Sequence, residues 1–226
     1  RRHLTRTGLR CGTESSRGIL TILSLDYLFR KLMEEKKPYQ KDKKRCRWCN
    51  KTNPLYVDYH DHEWGVPVHE DSKLFEMLLL ETFQAGLSWE CVLNKREAFR
   101  RAFDGFDATK IAVYDEEKLL TLQQDKGIIR NRLKIQAAVT NARIFNDICQ
   151  EYGSFDRYIW HFTDYRTLYE TDRTTSPLSD TISKDLYRKG MKFVGSTIIY
   201  SYLQAIGIIN SHEEGCWLAR KNAQAL

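Results

Sequence analysis

The sequence is short of the residues that build several classes of protein. Four prolines and 12 glycines in 226 residues exclude collagen, low-complexity chain and a many-turned β sandwich. No apolar run approaches the roughly 20 residues of a membrane-spanning helix; the longest is Ile19–Leu25, and mean hydropathy is −0.56. Six cysteines (Cys11, Cys46, Cys49, Cys91, Cys149, Cys216) are too sparse for a disulfide scaffold, which points to reduced thiols and to metal rather than disulfide use of any pair. The net charge of +6 is not spread along the chain. Residues 1–45 carry 13 Lys/Arg against five Asp/Glu, and the remaining 181 residues hold 23 basic and 25 acidic side chains. Global charge therefore does not mark the main body as a nucleic-acid binder.

The chain divides near residue 45. The first part opens Arg-rich and acid-poor, as transit peptides do. It continues with Ile22, Leu25, Phe29, Leu32 and Met33 at helical spacing and closes in the basic run Lys36–Arg45. It reads as an extension contributing little to the chemistry, with a targeting or DNA-tethering arm as the alternative. From Cys46 to Leu226 nearly every periodic segment reads as helix, and the predicted fold class is all-α. Asp71 or Ser72 is expected to cap a helix bearing Leu74, Met77, Leu78 and Glu81 on one stripe. Val92, Phe99, Ala102 and Phe103 mark the next. Asp107, Asp115, Asn131 and Ser154 are further N-cap candidates, with Gly127 as a helix stop. Ser179 or Ser183 is expected to open a helix ending at Gly190, and Ser196 a last one running to Gly207.

Four features of this body carry chemistry. Glu81 lies on the apolar stripe of its own helix, where an unpaired carboxylate costs several kcal/mol, and Gln84-Ala-Gly-Leu-Ser-Trp89 then breaks the helix at Gly86. A carboxylate so placed reads as a pocket wall. Trp48, Tyr56, Tyr59, Trp64 and Trp89 crowd into irregular sequence, where aromatics line ligand pockets, stack on bases or hold cations. Cys46-x-x-Cys49 resembles half a zinc ribbon, and His212-x-x-x-Cys216 is the other compact pair. Two ligand sets compete: Cys46, Cys49, His212, Cys216, or Cys46, His60, His212, Cys216, either one a closed structural site. His62, His69 and His161 have no evident partners. Finally, Lys189-Gly-Met-Lys-Phe-Val-Gly-Ser-Thr197 has the form of two helices joined by a glycine turn. The second helix would present free N–H groups to a phosphate, with Lys192, Gly195, Ser196 and Thr197 at the contact. Asp125–Arg132 is a second basic turn.

These segments stand in a specific order: Cys46-x-Trp48, Asp58-Tyr-His-Asp-x-Glu-Trp-Gly65, Phe75-Glu-Met77, Leu80-Glu81, Gln84–Trp89, Asp125-x-Gly-Ile-Ile-Arg130, Phe193-Val-Gly-x-Thr197 and His212-x-x-Gly-Cys216. Together they resemble the type I DNA-3-methyladenine glycosylases over essentially all of 46–220, with residues 1–45 outside the resemblance. The resemblance implies a helix–hairpin–helix glycosylase fold with one structural Zn2+ held by Cys46, His60, His212 and Cys216. It places Glu81 and Tyr59 at the edge of the base and Trp89 against its face. Trp48, Tyr56 and Trp64 fall elsewhere in the pocket, and the turn with Gly86 and Leu87 enters the gap left by a flipped nucleotide. Many glycosylases of that superfamily carry a catalytic Asp after the hairpin, and the lyases among them a Lys on its second helix. Ser196–Ala205 has no acid and no lysine, so a monofunctional hydrolase with Glu81 as its central carboxylate is expected. The expected partner is double-stranded DNA bearing an alkylated purine, with no membrane and a monomeric protein. The expected compartment contains DNA: the cytoplasm of a bacterium, otherwise a nucleus or DNA-containing organelle, and not the secreted space. A non-catalytic DNA-structure binder and a zinc hydrolase are the alternatives.

Overall fold

The computed structural model describes residues 43–219. The helical spacing at Ile22–Met33, the targeting arm and most of the basic run lie outside the described residues. Arg45, the last residue of that run, is buried. Its guanidinium grips Asp61 with Nε–Oδ1 at 2.8 Å and Nη2–Oδ2 at 2.6 Å.

Among the described residues the protein is mostly helical, with 59% helix and 2% strand. The helices are α1 (Pro54–His62), α2 (Asp71–Gln84), α3 (Trp89–Leu93), α4 (Arg96–Ala102), α5 (Ala108–Ile111), α6 (Glu116–Gln124), α7 (Arg132–Tyr152), α8 (Phe155–Trp160), α9 (Pro177–Lys189) and α10 (Ser196–Ala205). None is long and apolar enough to cross a membrane. Among the described residues the β structure is one parallel pair of two-residue strands, β1 (Leu168–Tyr169) and β2 (Ile209–Asn210). This pair fastens the segment before α9 to the segment after α10.

α2 is the central element. Every residue from Leu74 to Phe83 is buried, as a helix walled on all sides requires. It packs on α7, α8 and α10, and the Tyr202 hydroxyl donates to the Leu74 carbonyl at 3.2 Å. Asp107, Asp115, Asn131 and Ser154 all cap the helices expected of them, each accepting from a backbone N–H of the first turn.

Other boundaries differ from expectation for identifiable reasons. Asp71 is the first residue of α2 rather than its cap. Its carboxylate reaches the N-terminus of α8, accepting from Phe155 N (3.1 Å) and Asp156 N (2.8 Å), where the helix dipole favours an anion. Gly127 does not stop α6. The helix ends at Gln124, and Gly127 N–H instead donates to Asp125 Oδ1 at 2.7 Å. α9 begins at Pro177, capped by Ser176, and Ser179 returns the reciprocal bond of a capping box. α10 ends at Ala205. Beyond it, Gly207 has φ +74°, and a Cβ there would lie 2.3–2.5 Å from the backbone of Val66 and Pro67. The bonds Gly65 N–Gln204 O (2.9 Å) and Val68 N–Ile206 O (3.0 Å) lay segment 65–68 directly against the end of α10.

Candidate functional site

A cavity of about 340 Å³ opens between α1, the C-terminal end of α2, α10 and the loop after β1. Its walls include Trp48, Tyr56, Tyr59, Trp64, Glu81 and Trp89. Each expected aromatic and the expected carboxylate therefore meet at one place. Tyr56 and Tyr59 fall three residues apart on α1 and project together. Tyr59 packs against Trp89 with ring centroids 5.1 Å apart, while Trp48 contacts Tyr56 at 5.4 Å and Trp64 at 4.7 Å.

Glu81 is 3% exposed, and its Oε2 has no hydrogen-bond partner. Burial pushes its carboxyl up to about 8, because a charge away from water is destabilised. Burial and then the neighbouring Glu81 raise the Tyr59 hydroxyl well above its ordinary value. Gln84 Oε1 and Trp89 Nε1, on the same cavity wall, are also buried without partners. Native interiors satisfy most buried polar groups. Three unmet ones around a single cavity can meet a ligand with complementary donors and acceptors.

A second cluster lies behind the aromatic wall. The ligating atoms of Cys46, His60, His212 and Cys216 all fall within 4.8 Å of one another, and all four residues are buried. Cys46 Sγ is 3.5 Å from His212 Nδ1, and Cys216 Sγ is 3.6 Å from both His60 Nε2 and His212 Nδ1. Each imidazole has its other nitrogen occupied: His60 Nδ1 meets Asp61 Oδ1 at 2.8 Å, and His212 Nε2 meets the Trp64 carbonyl at 3.2 Å. Both rings thus turn a lone pair inward, as metal-ligating histidines do. Burial would raise Asp61, but hydrogen bonds from Arg45, His60 and Trp217 hold its carboxyl down at about 2. This cluster can hold a metal ion. Cys49 is not part of it, since its thiol faces the Tyr56 carbonyl at 3.9 Å; of the two competing sets, the structure assembles the one with His60.

The two sites share walls. Trp48 lies 5.2 Å from His60, and Trp64 stands edge-on to His212 at 4.7 Å. The far end of α1 is fixed by Arg96, which reaches both oxygens of Glu63 (2.7 and 2.8 Å) and Glu76 Oε1 (2.7 Å).

The helix-turn-helix at α9–α10 presents its turn outward. Lys192 and Thr197 are exposed, and Asn141 clamps the turn through both Lys192 N (2.8 Å) and Lys192 O (2.9 Å). The positive φ values fall at Gly190 (101°) and Phe193 (55°). Gly195 has φ −60° and serves as the N-cap of α10, without a side-chain cap. The Ser196 hydroxyl is engaged within the protein, donating to Asp180 Oδ1 at 2.5 Å and meeting Ser179 Oγ at 2.8 Å. The basic turn 125–132 exposes Lys126, Arg130 and Arg132. The three histidines without evident partners do have them: His62 pairs with Asp58, His69 with Asp156, and His161 Nδ1 with the Tyr158 carbonyl.

Sequence reasoning missed the polar side of the cavity: Asp172, Arg173, Ser201, Gln204, Ser211 and Glu213. Ser201 and Gln204, three apart on α10, were a findable signal. Asp172 and Arg173 sit in irregular sequence that offers none.

The comparisons with known proteins converge on this geometry. A family profile described as methyladenine glycosylase matches residues 48–220. The chain belongs to that family. It is 48% identical over 179 residues to DNA-3-methyladenine glycosylase 1 of Escherichia coli K12, an alignment covering 76% of this chain and 95% of the relative. The crystal structure of a 3-methyladenine DNA glycosylase I superposes with a TM-score of 0.74 at 45% identity, covering 77% of this chain and 99% of that one. A point variant of such an enzyme in complex with 3-methyladenine superposes with a TM-score of 0.73 at 32% identity, covering 76% and 95%.

Proposed function

We propose that this chain is a DNA-repair glycosylase that rotates a 3-methyladenine nucleotide out of double-stranded DNA and hydrolyses its glycosidic bond, leaving an uncut abasic site. The observation that carries this is Glu81, a buried carboxyl with an unpartnered oxygen set among aromatic faces.

An N3-alkylated adenine nucleotide is cationic. Aromatic ring faces attract such a cation more strongly once water is excluded, so Trp89, Trp48, Tyr56 and Trp64 suit it better than a neutral base. Glu81 and Tyr59 meet its edge, and the arriving positive charge favours the ionised Glu81 that burial otherwise suppresses. When the C1′–N9 bond breaks, its electron pair neutralises the base. Water adds to C1′ and releases its proton, so the leaving group needs no proton from the protein. The enzyme's work is extraction and electrostatics. Extraction costs a few kcal/mol, less for a lesion that pairs and stacks poorly. In this reading Leu87, with Gly86 beside it, fills the gap in the duplex. The uncapped N–H groups at Gly195–Thr197, with Lys192, hold a backbone phosphate in the manner of a helix–hairpin–helix.

The metal we assign to the second cluster is a single structural Zn2+. A tetrahedral zinc with bonds of about 2.3 Å to sulfur and about 2.05 Å to nitrogen separates S and N ligands by about 3.6 Å, which the Cys46–His212, Cys216–His60 and Cys216–His212 distances match. Cys46, His60, His212 and Cys216 would hold it, and its role would be to tie the two ends of the domain together. We further propose a monomer acting in a compartment that contains DNA and keeps thiols reduced.

The test is base release from methylated duplex DNA, with products separated chromatographically and the DNA checked for strand breaks. Free 3-methyladenine from the wild type, loss of release in Glu81→Ala and an intact strand are expected. Binding to abasic DNA with no released base would overturn the assignment in favour of a DNA-structure binder.

A further inference from the structure

A buried lysine from a different helix is bonded to the turn Gln84–Leu87. Ala85 has φ −44° and ψ 113°, Gly86 has φ +78°, and Leu87 N–H donates to the Gln84 carbonyl at 2.6 Å. These values match a type II turn, which needs a residue tolerant of positive φ at its third position. Types I and II differ by a flip of the central peptide, here the Ala85–Gly86 unit, which reverses the direction of the Ala85 carbonyl. That carbonyl accepts a short hydrogen bond from Lys134 Nζ, whose ammonium also donates to the Phe83 carbonyl at 2.7 Å. Lys134 is 6% exposed, in the first turn of α7. It sits at the C-terminal end of α2, where free carbonyls and the helix dipole favour a cation. Its ammonium is engaged with backbone carbonyls, and no ion pair joins it to Glu81.

We propose that Lys134 is a positioning residue: its ammonium selects the type II form of the 84–87 turn and so sets how Gln84 faces the cavity and how Leu87 projects. Its effect on excision rests on the glycosylase reading above; its effect on the turn does not. A misplacement of order 1 Å in such a segment costs up to roughly a hundredfold in rate.

The experiment compares wild type with Lys134→Met, which keeps the stem and loses the donors. Lys134→Gln, which keeps one donor and no charge, takes its place if the Met variant does not fold. Three quantities are read: the nuclear Overhauser contact between Ala85 Hα and Gly86 HN, single-turnover excision, and the affinity for free 3-methyladenine. The Leu87 N–H bond to the Gln84 carbonyl forms in both turn types, whereas that contact is strong in type II and weak in type I. We expect the contact to weaken in the variant and excision to fall by roughly tenfold to a hundredfold, while affinity for the free base falls less than excision because Glu81 and Tyr59 are untouched. An unchanged contact overturns the proposal, whatever happens to activity. A weakened contact with full excision overturns the functional half of it. A wild type that releases no base would sink the glycosylase reading and leave the turn result standing on its own.

Discussion

The Trp64 ring stands at 90° to the His212 ring with centroids 4.7 Å apart, and the Trp64 carbonyl accepts from His212 Nε2 at 3.2 Å. One residue thus belongs to the cavity wall and to the surroundings of the Cys/His cluster. His60 repeats the arrangement from α1, touching Trp48 while its neighbour Tyr59 faces the cavity.

Stripping the metal is therefore expected to damage base binding without any direct role for the ion in the reaction. A metal bound by these four residues would close a loop of about 170 residues between Cys46 and Cys216, a constraint of about 5 kcal/mol on the unfolded chain. Chelation at neutral pH should lower the melting temperature and weaken 3-methyladenine binding together. Cys49→Ser, which leaves all four ligands in place, should retain stoichiometric metal. The checks are metal content by elemental analysis, thermal unfolding and titration with the free base.

Glu81 makes the protein's stability depend on pH. Its carboxyl is raised to about 8 from an ordinary 4.5, so between those values the folded state binds more protons than the unfolded one. Stability from this group is then lost as pH rises through that window. Glu81→Gln removes the penalty. We expect the variant to match wild type near pH 4 and to exceed it by up to about 3 kcal/mol at pH 7, while losing affinity for the cationic base. Denaturant unfolding at several pH values measures this, and a stability difference independent of pH would contradict the raised carboxyl.

Where the sequence was legible, the signal was local. The caps Asp107, Asp115, Asn131 and Ser154 are read from their own first turns, and Glu81 betrays itself by standing on an apolar stripe. The ordered aromatics and the Cys/His spacings pointed to a pocket and a metal site, but spacing alone left Cys49 and His60 tied until the fold turned one thiol toward the Tyr56 carbonyl. What escaped was long-range polar pairing. Asp71 looks like a local cap because nothing nearby announces that its partners are Phe155 and Asp156. Arg45 looks like linker because Asp61 is needed to account for a buried guanidinium. Lys134 looks like an ordinary lysine at the start of a long helix, since its partners are backbone carbonyls that no side-chain pattern encodes. Asp172 and Arg173 reach the cavity because β1 pairs with β2, and two-residue strands leave no alternation to read.

Leu87 is 42% exposed at the tip of its turn, and an apolar side chain there contributes little to folding. Leu87→Ala should change stability by no more than about 0.5 kcal/mol and leave free-base binding intact. Excision from duplex DNA should fall because the extruded state loses the side chain that fills its gap. The comparison that matters is between duplex and single-stranded methylated DNA, since only the duplex has a gap to fill. An equal loss on both would show that Leu87 acts on the pocket instead.

Two glycines with nearly the same backbone separate conformational strain from crowding. Gly86 and Gly207 have φ of +78° and +74°, so alanine at either bears a left-handed penalty of about 1–2 kcal/mol. Their surroundings differ. A Cβ on Gly86 meets nothing within 4 Å, whereas one on Gly207 lies 2.3 Å from the Val66 carbonyl carbon and 2.4 Å from Pro67 N. Backbone cannot swing aside as a side-chain tip can, so Gly207→Ala must push segment 65–68 off the end of α10, breaking the Gly65–Gln204 and Val68–Ile206 bonds. We expect Gly86→Ala to fold with a loss of about 1–2 kcal/mol and a defect confined to the turn. Gly207→Ala should lose more than about 4 kcal/mol or fail to fold. Denaturant midpoints of the two variants, measured side by side, give the answer. Equal losses would mean that segment 65–68 is not seated where the close approach of Val66 requires.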